Sequence, residues 1–128
     1  MEGQHHKGYP EALTGWPQAL LRTGNKENAL IRSTSLFAEI HKKNGLKPLI
    51  EALETGEHNS AVLWAHTLKG QATTIGAEEV AKLADQLETQ LKKETQLQKT
   101  QLLVELETAL SCVLNSIFEY QNKSQGNG

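Results

Sequence analysis

The sequence holds a single cysteine and three prolines, and its aromatic residues make up only 5% of 128 positions. Cys112 alone closes no internal disulfide, so the chain is not a disulfide-stapled scaffold; set among Leu110, Val113 and Leu114, it reads as a small buried hydrophobe in a reducing compartment. An excess of one charge is missing too. Thirteen Lys plus Arg stand against 15 Asp plus Glu, a formal net charge of -2, without the broad basic footprint of a nucleic-acid binder. No apolar run approaches the roughly 18 residues that a membrane span needs. The first residues, MEGQHHKGYP, lack the apolar core of a signal peptide. These absences predict a cytoplasmic module without membrane contact, and its length predicts one small domain with a real core and no second catalytic domain.

What the sequence does contain is helical almost throughout: few β-branched runs, many Leu, Ala, Glu, Gln and Lys, and turn residues at spaced intervals. A short helix is expected from about Trp16 to Leu21, with Pro17 in the first turn where a missing N–H costs nothing, ending at "TGN". A second is expected from about Lys26 to Lys43, turning Ala29, Leu30, Leu36, Phe37 and Ile40 to a core. Leu46 to Thr55 is a further helical piece. The next runs from about Asn59 to Ile75 with Gly76 as terminator. Ala77 to about Lys93 follows with Val80, Leu83, Leu87 and Leu91, and Gln96 to about Tyr120 with Leu103, Leu106, Leu110, Val113 and Ile117. Short loops between amphipathic helices make neighbours antiparallel. The expected fold is all-α, an antiparallel four-helix bundle with an additional short N-terminal helix over residues 15–122. Residues 1–14 are read as a disordered or vector-derived tail and 123–128 as a flexible one. Trp16 and Trp64 are core candidates. His5 and His6, adjacent in a glycine-rich tail, are read as tail rather than metal ligands, and no metal site is assigned.

Within "AHTLKGQATTIGA", residues 65–77, a histidine and a glycine share one helix. At about 100° per residue, Ala61, Ala65, Leu68, Ala72 and Ile75 fall in one sector of roughly 80°, the packing face. His66 points away from it, and Lys69, Gly70 and Thr73 lie on the same outer side, Lys69 and Gly70 one turn beyond the histidine and close enough to share a ligand with it. A glycine in an exposed helix interior costs roughly 0.8 to 1 kcal/mol relative to alanine, so close approach by another molecule is the better reason for Gly70. Val62 and Leu63, one turn before His66, are apolar where a solvated surface would be polar, and read as a docking rim.

His66, Thr67, Leu68, Lys69 and Gly70, followed by Gly76 and Ala77, resemble the core motif of histidine-containing phosphotransfer (HPt) domains of bacterial two-component phosphorelays: a histidine with lysine three, glycine four and glycine ten places on. The resemblance extends through "LFAEI", "LIEALETGEHNSAVLWAHTLKG" and "LADQLE", from about Trp16 to Tyr120. It departs at Gln71, where the family more often has Ser or Ala, and a longer side chain there is expected to narrow partner choice. Glu88 falls where the family commonly has Gln or Glu close to the histidine ring; as a residue met alone it reads as a surface carboxylate.

The resemblance implies a phosphocarrier, not an enzyme: His66 accepts a phosphoryl group from an aspartate of one receiver domain and passes it to another, with Lys69 stabilising the phosphoryl charge and Gly70, Val62, Leu63, Gln71 and Thr73 meeting the partner. It implies no cofactor of its own, Mg²⁺ supplied by the receiver, and a monomer, either a free-standing protein or the C-terminal module of a hybrid sensor histidine kinase at the cytoplasmic side of the inner membrane. Neutral imidazole carries a lone pair on one ring nitrogen and needs only access, and phosphoryl transfer asks little of a protein beyond positioning and charge stabilisation. Two other classes compete. A kinase dimerisation domain usually has an acidic residue after its histidine and a proline soon after, whereas here Thr67 follows and no proline comes after Pro48, nor is there a glycine-rich ATP-binding segment. A non-catalytic module would bind a response regulator through the same face without needing both His66 and Lys69.

Overall fold

The computed structural model describes residues 8–93 and 99–126, and every regular element among them is helical. In chain order these are α1 (Trp16–Arg22), α2 (Glu27–His41), α3 (Lys47–Glu54), α4 (His58–Ile75), α5 (Glu78–Lys93) and α6 (Lys99–Gly126). Pro17 and Pro48 open α1 and α3, in the first turn where a proline sacrifices no hydrogen bond. The starts and stops fall within a few residues of those the turn residues predict. The expected start of the last helix at Gln96 lies outside the described residues.

The long helices close a ring, in which α4 packs on α2 and α5, and α6 packs on α5 and α2. Two short helices flank it: α1 lies against α2 and α4, and α3 lies against α4. Helix α4 is the most enclosed, because Ala61, Ala65 and Ala72 on its inner side are small enough for neighbouring backbones to come close. Leu68 and Ile75 complete that side, facing Val80, Leu83, Leu87 and Leu91 of α5 and Leu106, Leu110, Val113 and Ile117 of α6 in one core. Fixing one side of α4 so firmly fixes what its other side shows to solvent.

Several side chains lie elsewhere than their apolar character suggests. On α2 the buried stripe is Leu30, Thr34, Phe37, Ala38 and His41, while Leu36 and Ile40 are 59% and 47% exposed. Thr34 tolerates burial because its hydroxyl donates to Leu30 O at 2.9 Å inside the helix. Leu36 and Ile40 lie 60 to 100° round the helix from Phe37, outside the stripe. Cys112 is exposed for the same reason, one position off the Leu106, Leu110, Val113, Ile117 stripe. Leu103 is only half-buried, and Leu102 takes the core position.

The boundaries of the domain also move outward. Pro10 and Leu13, assigned to a tail, are fully buried, Tyr9 stacks on Trp16 with ring centroids 5.4 Å apart, and Ala12 N–H donates to Ser116 Oγ at 2.9 Å. Residues 8–14 thus strap the start of α1 to α6. Residues 1–7, with His5 and His6, and residues 127–128 lie outside the described residues, whereas α6 continues past Tyr120 to Gly126. Its segment Thr100–Lys123 is, by length and composition, long and apolar enough to cross a membrane, contrary to the expectation from apolar runs. Its apolar side is a wall of the bundle, and Glu105, Glu107 and Glu119 charge the other.

Candidate functional site

The site is built on α4 and α5, and the turn between them sets its register. Gly76 adopts φ +81°, Gly76 N–H donates to Thr73 O at 3.1 Å and Ala77 N–H to Ala72 O at 2.8 Å, the left-handed ending that glycine permits. Gly76 has a second role that spacing does not reveal. A Cβ there would lie 2.5 Å from Gly15 C and 2.6 Å from Trp16 N, and Gly15 N–H donates to Gly76 O at 2.8 Å, so the bare backbone admits the strap and the start of α1.

From this turn α5 runs back antiparallel to α4, and each step of three residues along one is matched by a step of three along the other: His66 meets Glu88 and Lys69 meets Asp85. The His66 side chain is 60% exposed, and its Nδ1 lies 3.0 Å from Oε2 of Glu88. Glu88 is not a surface carboxylate. It is 5% exposed, with Lys92 Nζ at 3.0 Å from the same Oε2 and Lys69 Nζ at 3.3 Å from Oε1, a charge contact without hydrogen-bond geometry. Burial pushes its pKa up, but the contacts from Lys92, Lys69 and His66 together outweigh that and hold it below the ordinary carboxylate value.

An ionised carboxylate only accepts hydrogen bonds. Nδ1 of His66 must therefore carry the proton that it donates to Glu88, which leaves the lone pair of the neutral ring on Nε2, pointing away from the carboxylate. Lys69 completes the group: its Nζ donates to Asp85 Oδ1 at 3.1 Å, and Asp85 first, then Glu88, raise its pKa and keep it an ammonium.

Gly70 stands in open space, and a Cβ built on it meets nothing within 4 Å, so internal packing does not require a glycine there. Leu63 is 64% exposed near His66, and Val62 is half-buried against the core. Gln71 does not stand free beside Gly70 as expected: its Oε1 accepts from Nε2 of the buried His41 at 2.8 Å, pinning it to α2. Thr73 is exposed, its hydroxyl donating to Lys69 O at 2.8 Å, but its carbonyl accepts from Arg22 at 2.7 Å, placing it at the α1 end, away from His66. Beside Gln71 and Thr74, the misplaced Leu36 and Ile40 of α2 line a shallow apolar hollow.

Asp85, Lys92 and His41 take part in these contacts and were not singled out from the sequence. The signal for two of them is periodic: Asp85, Glu88 and Lys92 are spaced three and four apart on α5, one face of a helix. His41 had none, because its partner lies thirty residues away. Among the described residues no group of three or more His, Cys, Asp or Glu is arranged to hold a metal ion.

Comparison with curated proteins and with solved structures gives no match in either case. A family model described as the Hpt domain matches residues 43–116, more than half of the chain, a span that includes His66, Lys69, Gly70, Gly76, Asp85 and Glu88. With this match over the helices that carry the site, the chain belongs to the Hpt domain family, the histidine phosphotransfer modules of phosphorelays that work with receiver domains.

Proposed function

We propose that His66 is the phosphoacceptor, taking a phosphoryl group from a receiver-domain aspartate and passing it to the aspartate of another receiver. The observation that carries this is the buried, ionised Glu88 fixing the proton on Nδ1 of an exposed imidazole. In the forward step the Nε2 lone pair forms the N–P bond as the P–O bond of the acyl phosphate breaks, and the electrons leave with the aspartate carboxylate. Nδ1 keeps its proton, so the ring gains positive character facing Glu88. The onward step reverses these changes on a second aspartate. Lys69 supplies a cation to the phosphoryl oxygens, and the receiver supplies the Mg²⁺; this chain brings no cofactor.

The docking face in this reading is the outer side of α4, with Gly70 allowing close approach and Leu63, Leu36 and Ile40 giving exposed apolar contact. Gln71 and Thr73 sit at its borders. The module acts as a cytoplasmic monomer, without nucleic acid or membrane contact of its own. Without a nucleotide-binding motif it does not label itself from ATP and Mg²⁺. The test is incubation with a panel of phosphorylated receivers: the parent acquires acid-labile label and His66→Gln does not. Label persisting in that variant, or self-labelling of the pure protein, contradicts the proposal.

A further inference from the structure

Lys69 is committed to α5 before any phosphoryl group is present. Its Nζ is 3.1 Å from Asp85 Oδ1 and 3.3 Å from Glu88 Oε1, so the ammonium points across the helix pair and not along α4. One turn of α4 separates Lys69 from His66, and a long side chain based there reaches either way. The two carboxylates hold it differently. Glu88 is buried and keeps both Lys92 and His66 as partners, whereas Asp85 is 56% exposed and Lys69 is its only ion-pair partner among the described residues.

We infer that Asp85 competes with the phosphoryl group for Lys69, and so sets how far phosphotransfer to His66 proceeds. This rests on His66 being the acceptor. When the N–P bond forms at Nε2 and the donor carboxylate leaves, two or so negative charges arrive within reach of Lys69, which then exchanges Asp85 for phosphoryl oxygens. Asp85 is thereby left solvated and like-charged with its new neighbour, and both effects oppose the phosphorylated state. Because the pair is exposed, it breaks at small cost; a firmer pair would strand the lysine. Asp85 is therefore a positioning residue that tunes the carrier away from a one-way sink for phosphate, which suits a module that must release what it accepts.

The experiment measures the ratio of phospho-His66 to phospho-receiver at equilibrium for the parent, Asp85→Asn, Asp85→Glu, Lys69→Ala and the Asp85→Asn, Lys69→Ala double variant. Phosphoramidate serves as a second, receiver-independent phosphodonor. Asp85→Asn should raise the ratio about 1.4- to fivefold, the span that exposed ion pairs cover. Asp85→Glu should return it near the parental value, and the gain should shrink in the Lys69→Ala background and at about 1 M salt, where an exposed pair is screened. A purely structural role for Asp85 would move the melting temperature and leave these dependences unchanged. A phosphorylated parent whose ratio is unaltered by Asp85→Asn, or equally raised with and without Lys69, overturns the inference alone. A parent that takes phosphate from neither donor removes the acceptor role of His66 and the inference with it.

Discussion

Replacing Gly70 and Gly76 by alanine separates a glycine kept for a partner from one kept for the fold. At Gly70 the new Cβ meets nothing within 4 Å and the backbone is ordinary helix, so the substitution recovers about 0.8 to 1 kcal/mol of helix propensity. With an unfolding entropy of about 2.1 cal/mol/K per residue, this is a rise of roughly 3 to 4 °C in melting temperature. At Gly76 the φ of +81° strains any L side chain, and the Cβ would press on Gly15 C at 2.5 Å, a backbone atom that cannot swing aside. Left-handed strain of about 1 to 2 kcal/mol and overpacking of about 1 to 3 kcal/mol predict a fall of roughly 7 to 19 °C. Thermal melts by circular dichroism read both. Gly70→Gln should leave the fold intact and weaken calorimetric binding to the unphosphorylated receiver by about tenfold or more, about 1.4 kcal/mol. A Gly70→Ala protein that melts below the parent, or a Gly70→Gln protein that binds as tightly, would refute the assignment of this glycine to docking.

Glu88→Leu should release the His66 tautomer, so that ¹⁵N NMR shows the proton shared between ring nitrogens and transfer slows, while Glu88→Gln, which still accepts from Nδ1, should keep the tautomer and most of the rate; equal slowing in both would point to charge alone. Burial holds His41 below its ordinary value of 6.5, against a smaller upward pull from Gln71, so the folded state binds fewer protons than the unfolded one. Its contribution to stability is thus complete above about pH 6.5 and declines as pH falls through the lower folded value, and His41→Gln should flatten that acid slope in melting temperature. Lys69→Ala should slow transfer while barely changing receiver affinity, because its cation matters chiefly when phosphoryl oxygens are present; a large loss of binding would make it a docking residue.

The helices and the outward direction of His66 were legible because both follow from local spacing: alanines and leucines at helical intervals define the inner side of α4, and glycines and prolines punctuate it. Spacing does not say how wide a buried stripe will be. Leu36, Ile40 and Cys112 are apolar and close to a stripe yet outside it, because the width depends on which helices come to lie alongside. Long-range pairings were harder to see: residue by residue Glu88 reads as a surface carboxylate, and only the family resemblance set it close to the His66 ring, where the Gly76 turn brings it, while Gln71 reads as free until His41 reaches it from α2. The strap at 8–14 was masked by its Gly and polar residues, although Pro10 and Leu13 are what it buries.

If Glu88 directs phosphorylation to one nitrogen of one residue, NMR of the ¹⁵N-labelled, receiver-phosphorylated protein reads it out atom by atom. A single phosphohistidine is expected, with phosphorus coupled to Nε2 of His66 and a proton on Nδ1. Phosphorus on Nδ1, or on any other residue, would contradict it.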